Sequence, residues 1–271
     1  MGESRPIGMF DSGFGGLTVA RATIDLLPNE DLVYLGDTAR YPYGAKPLEE
    51  VRAYAIEIAR YLVETFDVKY LVVACNTAAA AALGELQDLL PVPVMGVIEP
   101  GVRATMAATR SGRVAVIGTV GTIGSGAYDD AFGKIDPLVG LTACACPGFV
   151  EFVEKGDTEG PQVRILAERL LAPVVAADVD TLLLGCTHYP YLARTISQVM
   201  GHEVVLVSSA DETAFALAAE LDRLELKNPD RQHVGWQRFI SSGDERAFAQ
   251  LGSRLLGPEL VDAQRWEPHG S

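Results

Sequence analysis

Short apolar runs alternate with longer amphipathic stretches along most of this chain, and that alternation limits the folds it can adopt. The first runs, which carry few charges, are residues 7–10, 31–36, 70–75 and 93–97. Such runs are typical of strands buried in a parallel sheet. Residues 16–27 and 47–66 between them have the 3–4 spacing of apolar residues that predicts helices. The order predicts a parallel sheet with helices on both faces.

The same alternation begins again in the second part of the chain. Further strands are predicted at 113–118, 180–185, 203–207 and 234–241, and further helices at 161–176, 190–200, 210–226 and 244–256. Residues after Pro258 show little pattern, so we expect a loose tail there.

Two segments resemble each other. Residues 70–78 (YLVVACNTA) and 181–189 (TLLLGCTHY) both place a cysteine at the end of an apolar strand, followed by a threonine and a predicted helix. This near-repeat suggests two α/β units related by pseudo-symmetry. Any two buried strands with a following turn would look alike, so the sequence leaves open whether one α/β unit arose by duplication of the other.

The charge of the chain excludes some classes of partner. The formal net charge is -14 and the sequence pI is about 4.7, and such a surface repels phosphate backbones and anionic membranes. No apolar stretch reaches the roughly 18 residues needed to span a bilayer, and the N-terminus lacks the pattern of a secretory signal. We therefore expect a cytoplasmic protein that binds neither nucleic acid nor membrane, with its four cysteines reduced.

Reactive side chains gather where the predicted strands end. They are Asp11, Ser12, Asp37, Cys75, Asn76, Thr77, Thr119, Cys186, Thr187 and His188. Open parallel sheets bind ligands beyond the carboxyl ends of their strands, so the sequence predicts a site there.

Cys75 and Cys186 are the strongest candidates for chemistry. An isolated cysteine is usually buried and inert, but each of these leaves a strand at a predicted helix start, among polar neighbours. Helix N-termini favour a thiolate. Two cysteines in matching positions favour a catalytic role over inert packing.

The sequence also contains candidate segments for an anion-binding turn and for a zinc site. The glycine-rich turns at 11–16 and 118–126 suit either a phosphate or a carboxylate, but neither is followed by a P-loop lysine. A zinc site built from Cys186, His188 and the Cys144/Cys146 pair lacks the usual ligand spacing. We expect no metal.

Five ordered segments resemble a known family. They are DSGFGGLTV (11–19), GDTARYPYG (36–44), ACNTA (74–78), FVEKGD (152–157) and GCTHYP (185–190). Together they resemble the signature segments of bacterial glutamate racemases, of the cofactor-independent aspartate/glutamate racemase superfamily. The resemblance runs from about Ile7 to about Gly257.

The resemblance implies a fold of two similar parallel-sheet α/β domains with the active site between them. Residues 1–98 together with 208–271 would form the first domain, and residues 99–207 the second. Cys75 would take the α-proton of D-glutamate and Cys186 that of L-glutamate, one from each domain. Asp11, His188, Asp37 and Glu154 would assist proton transfer. The implied substrate contacts are Asp11, Ser12, Tyr43, Gly44, Asn76, Thr77, Thr119, Thr122, Thr187 and His188.

The reaction needs no cofactor in this scheme, because two groups that flank one carbon suffice to move its proton. A pyridoxal enzyme would need a Schiff-base lysine, and no lysine lies in a clear site motif. The resemblance implies L- and D-glutamate as substrates, a homodimer, and a role in supplying D-glutamate for peptidoglycan. Two alternatives stay open: a racemase for aspartate or another small amino acid, and a regulatory protein that contacts DNA gyrase.

Overall fold

The structure, a computed structural model, describes residues 2–268 and contains two parallel sheets. The strands are β1 (Ile7–Asp11), β2 (Leu32–Gly36), β3 (Tyr70–Val73), β4 (Val94–Gly96), β5 (Arg113–Gly118), β6 (Gly140–Ala145), β7 (Thr181–Gly185), β8 (Val205–Ser208), β9 (Gln237–Ser241) and β10 (Gln264–Arg265). The helices are α1 (Leu17–Leu26), α2 (Leu48–Phe66), α3 (Asn76–Leu89), α4 (Ile98–Ala108), α5 (Val120–Gly124), α6 (Ala127–Ile135), α7 (Phe149–Lys155), α8 (Pro161–Ala176), α9 (Ala193–Met200), α10 (Ser209–Arg223) and α11 (Glu245–Leu255). Short 3₁₀ turns lie at Tyr43–Ala45 and Tyr189–Leu192.

All strand pairs in both sheets run parallel, which confirms the predicted fold class. The larger sheet has the order β10-β9-β2-β1-β3-β4, and the smaller has the order β6-β5-β7-β8. The chain leaves the larger sheet after β4 and returns to it in β9. The exact domain boundaries given above stay a prediction.

Helices cover both faces of the larger sheet because side chains alternate along its strands. On β2, Val33 and Leu35 pack into one core with Val51 and Ile58 of α2. Leu32 and Tyr34 face the other side, into a core with helices α1, α10 and α11. The fully apolar β-runs seen in the sequence follow from this two-sided burial.

Strand register brings the predicted site residues together. β1 lies between β2 and β3, so the chain segments that follow these strands leave the same edge of the larger sheet. In the smaller sheet Gly118 at the end of β5 is the register partner of Gly185 at the end of β7. Thr119 and Cys186 therefore emerge side by side.

The expected loose tail is wrong for the part of it that the structure describes. Leu260 and Trp266 are buried, and β10 pairs with β9. The Trp266 ring stacks on Tyr61, with centroids 5.1 Å apart. Residues 269–271 of that predicted tail lie outside the described residues.

Two further differences concern the smaller sheet. Strand β6 was not predicted, because its short side chains lie at a half-buried sheet edge and carry no clear apolar pattern. Helix α9 begins at Ala193, after a 3₁₀ turn, rather than at the predicted residue 190. Within residues 2–268, the structure contains no helix with the length and apolar character to cross a membrane.

Candidate active site

A cavity of about 90 Å³ lies where the carboxyl ends of strands from both sheets meet. Since one water needs about 10–15 Å³ of such volume, the space suits a small metabolite. The lining residues are Ser12, Tyr41, Pro42, Tyr43, Gly44, Ala45, Cys75, Asn76, Thr77, Thr119, Val120, Cys146, Pro147, Gly148, Val150, Glu151, Cys186, Thr187, His188 and Tyr189. Both predicted cysteines thus border one space.

Cys75 caps the N-terminus of α3. Its Sγ accepts a hydrogen bond from the Ala78 N–H at 3.5 Å and lies 3.7 Å from Ser12 Oγ. Burial, reinforced by the negative charge of Asp11, raises the pKa of the Cys75 thiol to about 12, and these hydrogen bonds offset only part of the increase. The helix start thus favours the thiolate of Cys75, as expected, but its effect on the pKa is smaller than that of burial and Asp11.

Cys186 has a different environment, because a histidine lies beside it. The Nδ1 atom of His188 is 4.0 Å from Cys186 Sγ, and its Nε2 atom is 3.6 Å from Glu154 Oε1. Burial lowers the pKa of His188, but the interactions with Cys186, Glu154 and Asp11 outweigh it and raise this pKa to about 10. The surroundings of the ring therefore favour its protonated form.

Asp11 lies outside the lining residues but next to them, fully buried. Its Oδ2 accepts a hydrogen bond from the Gly13 N–H at 2.9 Å, and its Oδ1 lies 3.5 Å from the Thr187 hydroxyl. Space here is tight, since a Cβ on Gly15 would lie 2.2 Å from Thr187 Oγ1 and 2.5 Å from His188 Nδ1. Glycine at position 15 therefore lets the turn after β1 approach the segment that follows Cys186.

Three threonine hydroxyls form a triangle across the two halves of the site. Thr77 Oγ1 is 3.1 Å from Thr119 Oγ1 and 3.0 Å from Thr122 Oγ1, and the latter two oxygens are 2.9 Å apart. Thr119 also caps α5 by accepting from the Thr122 N–H. The triangle joins the N-terminus of α3 to that of α5.

The two polar atoms of the Asn76 side chain have different surroundings. Its Nδ2 donates to the hydroxyl of Tyr128 at 2.8 Å. Its Oδ1 is buried and accepts no hydrogen bond from the described residues. A buried acceptor without a donor is unfavourable, so this oxygen suits a group that a ligand would bring.

Asp37 does not line the cavity, although it was predicted to act in catalysis. Its carboxylate accepts from Arg40 Nε at 2.8 Å, from the Tyr43 hydroxyl, and from Ser242 Oγ at 2.5 Å. These contacts hold the segment that carries Tyr43 and Gly44 at the cavity wall. A catalytic role for Asp37 stays a prediction.

Of the other predicted residues, Thr122 and Glu154 also lie just outside the lining, each in contact with a lining side chain. Other wall residues were not among the predicted site residues, and they include Tyr41, Pro147, Gly148, Val150, Glu151 and Tyr189. Tyr41 lies within a segment of the resemblance, and Pro147 to Glu151 join β6 to α7. Had strand β6 been predicted, the segment from Pro147 to Glu151 that follows it would have been expected at the edge of the sheet where Thr119 and Cys186 lie.

Histidine, cysteine and lysine side chains that were considered as metal ligands or as a Schiff-base group have other surroundings in the described residues. No group of three or more His, Cys, Asp or Glu side chains in residues 2–268 is arranged to hold a metal ion. Cys144 instead donates to the Leu170 carbonyl at 3.3 Å. None of the lining residues is a lysine, and Lys69 is buried in an ion pair with Glu30 at the far end of β3.

The chain is similar to known racemases in both sequence and structure. The family model described as Asp/Glu/Hydantoin racemase matches residues 17–217. A glutamate racemase of Parafrankia sp. (strain EAN1pec) is 54% identical over 94% of this chain and 92% of its own. The crystal structure of glutamate racemase isoform RacE1 from Bacillus anthracis has a TM-score of 0.91 at 39% identity, covering 98% of this chain and 97% of that one. Glutamate racemase from Francisella tularensis subsp. tularensis SCHU S4, in complex with D-glutamate, has a TM-score of 0.88 at 32% identity, with coverage of 98% and 97%.

Proposed function

Since this chain belongs to the Asp/Glu/hydantoin racemase family and is an isomerase, we propose that it interconverts L- and D-glutamate with Cys75 and Cys186 as its two acid–base groups. One observation carries the proposal. Two cysteines, each at the carboxyl end of an inner strand of its own sheet, border one small cavity. Racemisation needs a proton acceptor on one face of a carbon and a donor on the other, and this arrangement supplies both.

The choice of glutamate rests on the relatives. The Parafrankia glutamate racemase is 54% identical over nearly all of both chains, and the Francisella neighbour binds D-glutamate. These likenesses favour glutamate over aspartate, the substrate that the sequence had left open.

The carboxylates of the substrate have suitable donors although the lining contains no lysine or arginine. The N-terminus of α3 opens at the cavity, and free N–H groups at a helix start attract anions. The hydroxyls of Thr77 and Thr119 lie beside it, and the 3₁₀ turn at Tyr43–Ala45 adds backbone N–H groups. Hydroxyl and backbone donors can thus recognise the carboxylates without a lysine or arginine in the lining.

The two proton carriers begin the L-to-D reaction in different states. A Cys186 thiolate paired with the His188 imidazolium takes the α-proton of L-glutamate, and the Cys75 thiol donates its proton to the opposite face. The product is D-glutamate, with Cys186 now a thiol and Cys75 a thiolate. Glu154 lies 3.6 Å from His188 and stabilises its charge, and Asp11 adds negative charge that favours the imidazolium. The reverse reaction runs the same steps backwards.

The deciding experiment is incubation of the enzyme with L-glutamate or with L-aspartate in deuterium oxide, without pyridoxal phosphate. Chiral chromatography and mass spectrometry should show D-glutamate carrying deuterium at the α-carbon. Turnover of aspartate but not glutamate would refute the proposed substrate. A requirement for added pyridoxal phosphate would refute the two-cysteine mechanism.

The proposed cellular use of the product is peptidoglycan synthesis, to which D-glutamate would be supplied. Depletion of the protein should cause lysis that external D-glutamate relieves. Lysis that D-glutamate does not relieve would separate the cellular role from the activity.

A further inference from the structure

We infer that Tyr128, which does not line the cavity, is a positioning residue that orients the Asn76 amide toward the ammonium group of the substrate. The inference rests on the proposed function, because it assigns one functional group of glutamate to one atom of the site. It adds a residue in the first turn of α6 to the residues that hold the site.

The hydrogen bond between Tyr128 and Asn76 is shielded from water. Tyr128 is 1% exposed and Asn76 is 3% exposed, and Nδ2 of the amide lies 2.8 Å from the phenol oxygen. In this arrangement Nδ2 donates to the phenol oxygen, so the Oδ1 end of the amide faces the cavity that Asn76 lines.

The oxygen end of the amide is the end left for the ligand. Asn76 lines the cavity, and its Oδ1 has no donor among the described residues. Ionised glutamate carries two carboxylates, which only accept hydrogen bonds, and one ammonium, which donates three. An unpaired acceptor oxygen therefore matches the ammonium. The opposite amide orientation would instead present Nδ2 and match a carboxylate.

Tyr128 also contacts the strand that carries the second cysteine. A Cβ built on Gly185 would lie 2.9 Å from both the Cε2 and the hydroxyl oxygen of Tyr128, so the ring packs directly against the residue before Cys186. The same side chain thus touches the residue after Cys75 and the residue before Cys186. Loss of its hydroxyl would free the amide while the ring still holds the packing.

The test is a double-mutant cycle on binding. The dissociation constant of DL-glutamate, whose composition the enzyme does not change, is measured by calorimetry for wild type, Tyr128→Phe, Asn76→Ala and the double variant. The same measurements use glutarate, which has both carboxylates but no ammonium. Tyr70→Phe is the matched control, because Tyr70 is equally buried but lies at the opposite end of β3 from the site.

We expect Tyr128→Phe to weaken glutamate binding about tenfold, the size of one hydrogen bond to a charged group, and to change glutarate binding less than about twofold. In the Asn76→Ala background the same substitution should cost less than about twofold, because Tyr128 acts through Asn76. Additive losses would overturn the inference, as would unchanged glutamate binding or equal weakening of both ligands. Failure of the wild type to racemise glutamate would instead refute the proposed function.

Discussion

The side-chain oxygens of Thr77 and Thr119 lie 3.1 Å apart, although 42 residues separate them and they follow strands of different sheets. This contact, with Thr122 as its third member, joins the two halves of the molecule at the wall of the cavity. The geometry of the site therefore depends on how closely the two halves approach each other.

Replacement of either cavity cysteine should stop racemisation by removing the proton carrier of one face. Cys75→Ser and Cys186→Ser should each lower kcat by about 10²–10⁴-fold, the usual contribution of a positioned acid or base. The decrease in kcat is measured by chiral chromatography of the D-glutamate formed from L-glutamate. Cys144→Ser is the control, because Cys144 lies outside the lining, and it should keep activity near that of wild type. Near-normal rates in a cavity variant would contradict the two-base scheme.

Gly44→Ala should disturb the approach of the two halves. A Cβ at this position would lie 2.6 Å from Thr119 Cβ, so the 3₁₀ turn and Thr119 must move apart. Displacements of this size reduce kcat/KM by about 10²-fold when they misplace a substrate. The matched control is Gly133→Ala, where a Cβ meets no atom within 4 Å. Equal kinetics in the two variants would show that the close approach at Gly44 does not matter.

The stability of the protein should depend on pH through His188. Its pKa is raised from about 6.5 in an unfolded chain to about 10 in the folded protein, so the folded state binds this proton more tightly. The stabilisation from the charged ring is complete below pH of about 6.5 and is lost as pH rises through about 10. The difference in Tm between wild type and His188→Gln, measured from pH 6 to 10.5, should therefore shrink as pH rises. A Tm difference that grows with pH would contradict the raised pKa of His188.

Trp266 should stabilise the larger sheet. The ring is buried, stacks on Tyr61 and lies 5.5 Å from the guanidinium of Arg40, which itself binds Asp37. Trp266→Ala should lower the free energy of unfolding by about 3 kcal/mol, measured by urea denaturation. Val261→Ala in the same segment, with a side chain 82% exposed, should change it by less than about 0.5 kcal/mol. A Trp266 effect as small as that of Val261 would mean that the end of the chain adds nothing to stability.

The sequence predicted those features that depend on neighbouring residues. The strand before Cys75 is apolar on both faces because both faces are covered, so its pattern was readable. In the turn at 118–126, by contrast, Thr119 and Thr122 were predicted as site residues, but the short helix that Thr119 caps was not predicted. That helix contacts the 3₁₀ turn at Tyr43–Ala45, which is distant in sequence.

Long-range packing also explains the remaining errors. The tail after Pro258 is held by Tyr61, a residue that no local pattern could pair with Trp266. The raised pKa of Cys75 could not be read from the sequence, because the sequence shows the helix start but not the burial that outweighs it. Sequence patterns located both cysteines, but their ionisation depends on what surrounds them in space.

The strand order has a consequence for synthesis of the chain on the ribosome. β9 pairs with β2, so one side of β2 keeps unpaired backbone groups until residues 237–241 have emerged. The smaller sheet uses only strands from 113–208, so all its strands are available earlier. A nascent chain can therefore complete its second sheet while the first still lacks β9, and Asp37 receives its hydrogen bond from Ser242 only after that later segment has emerged.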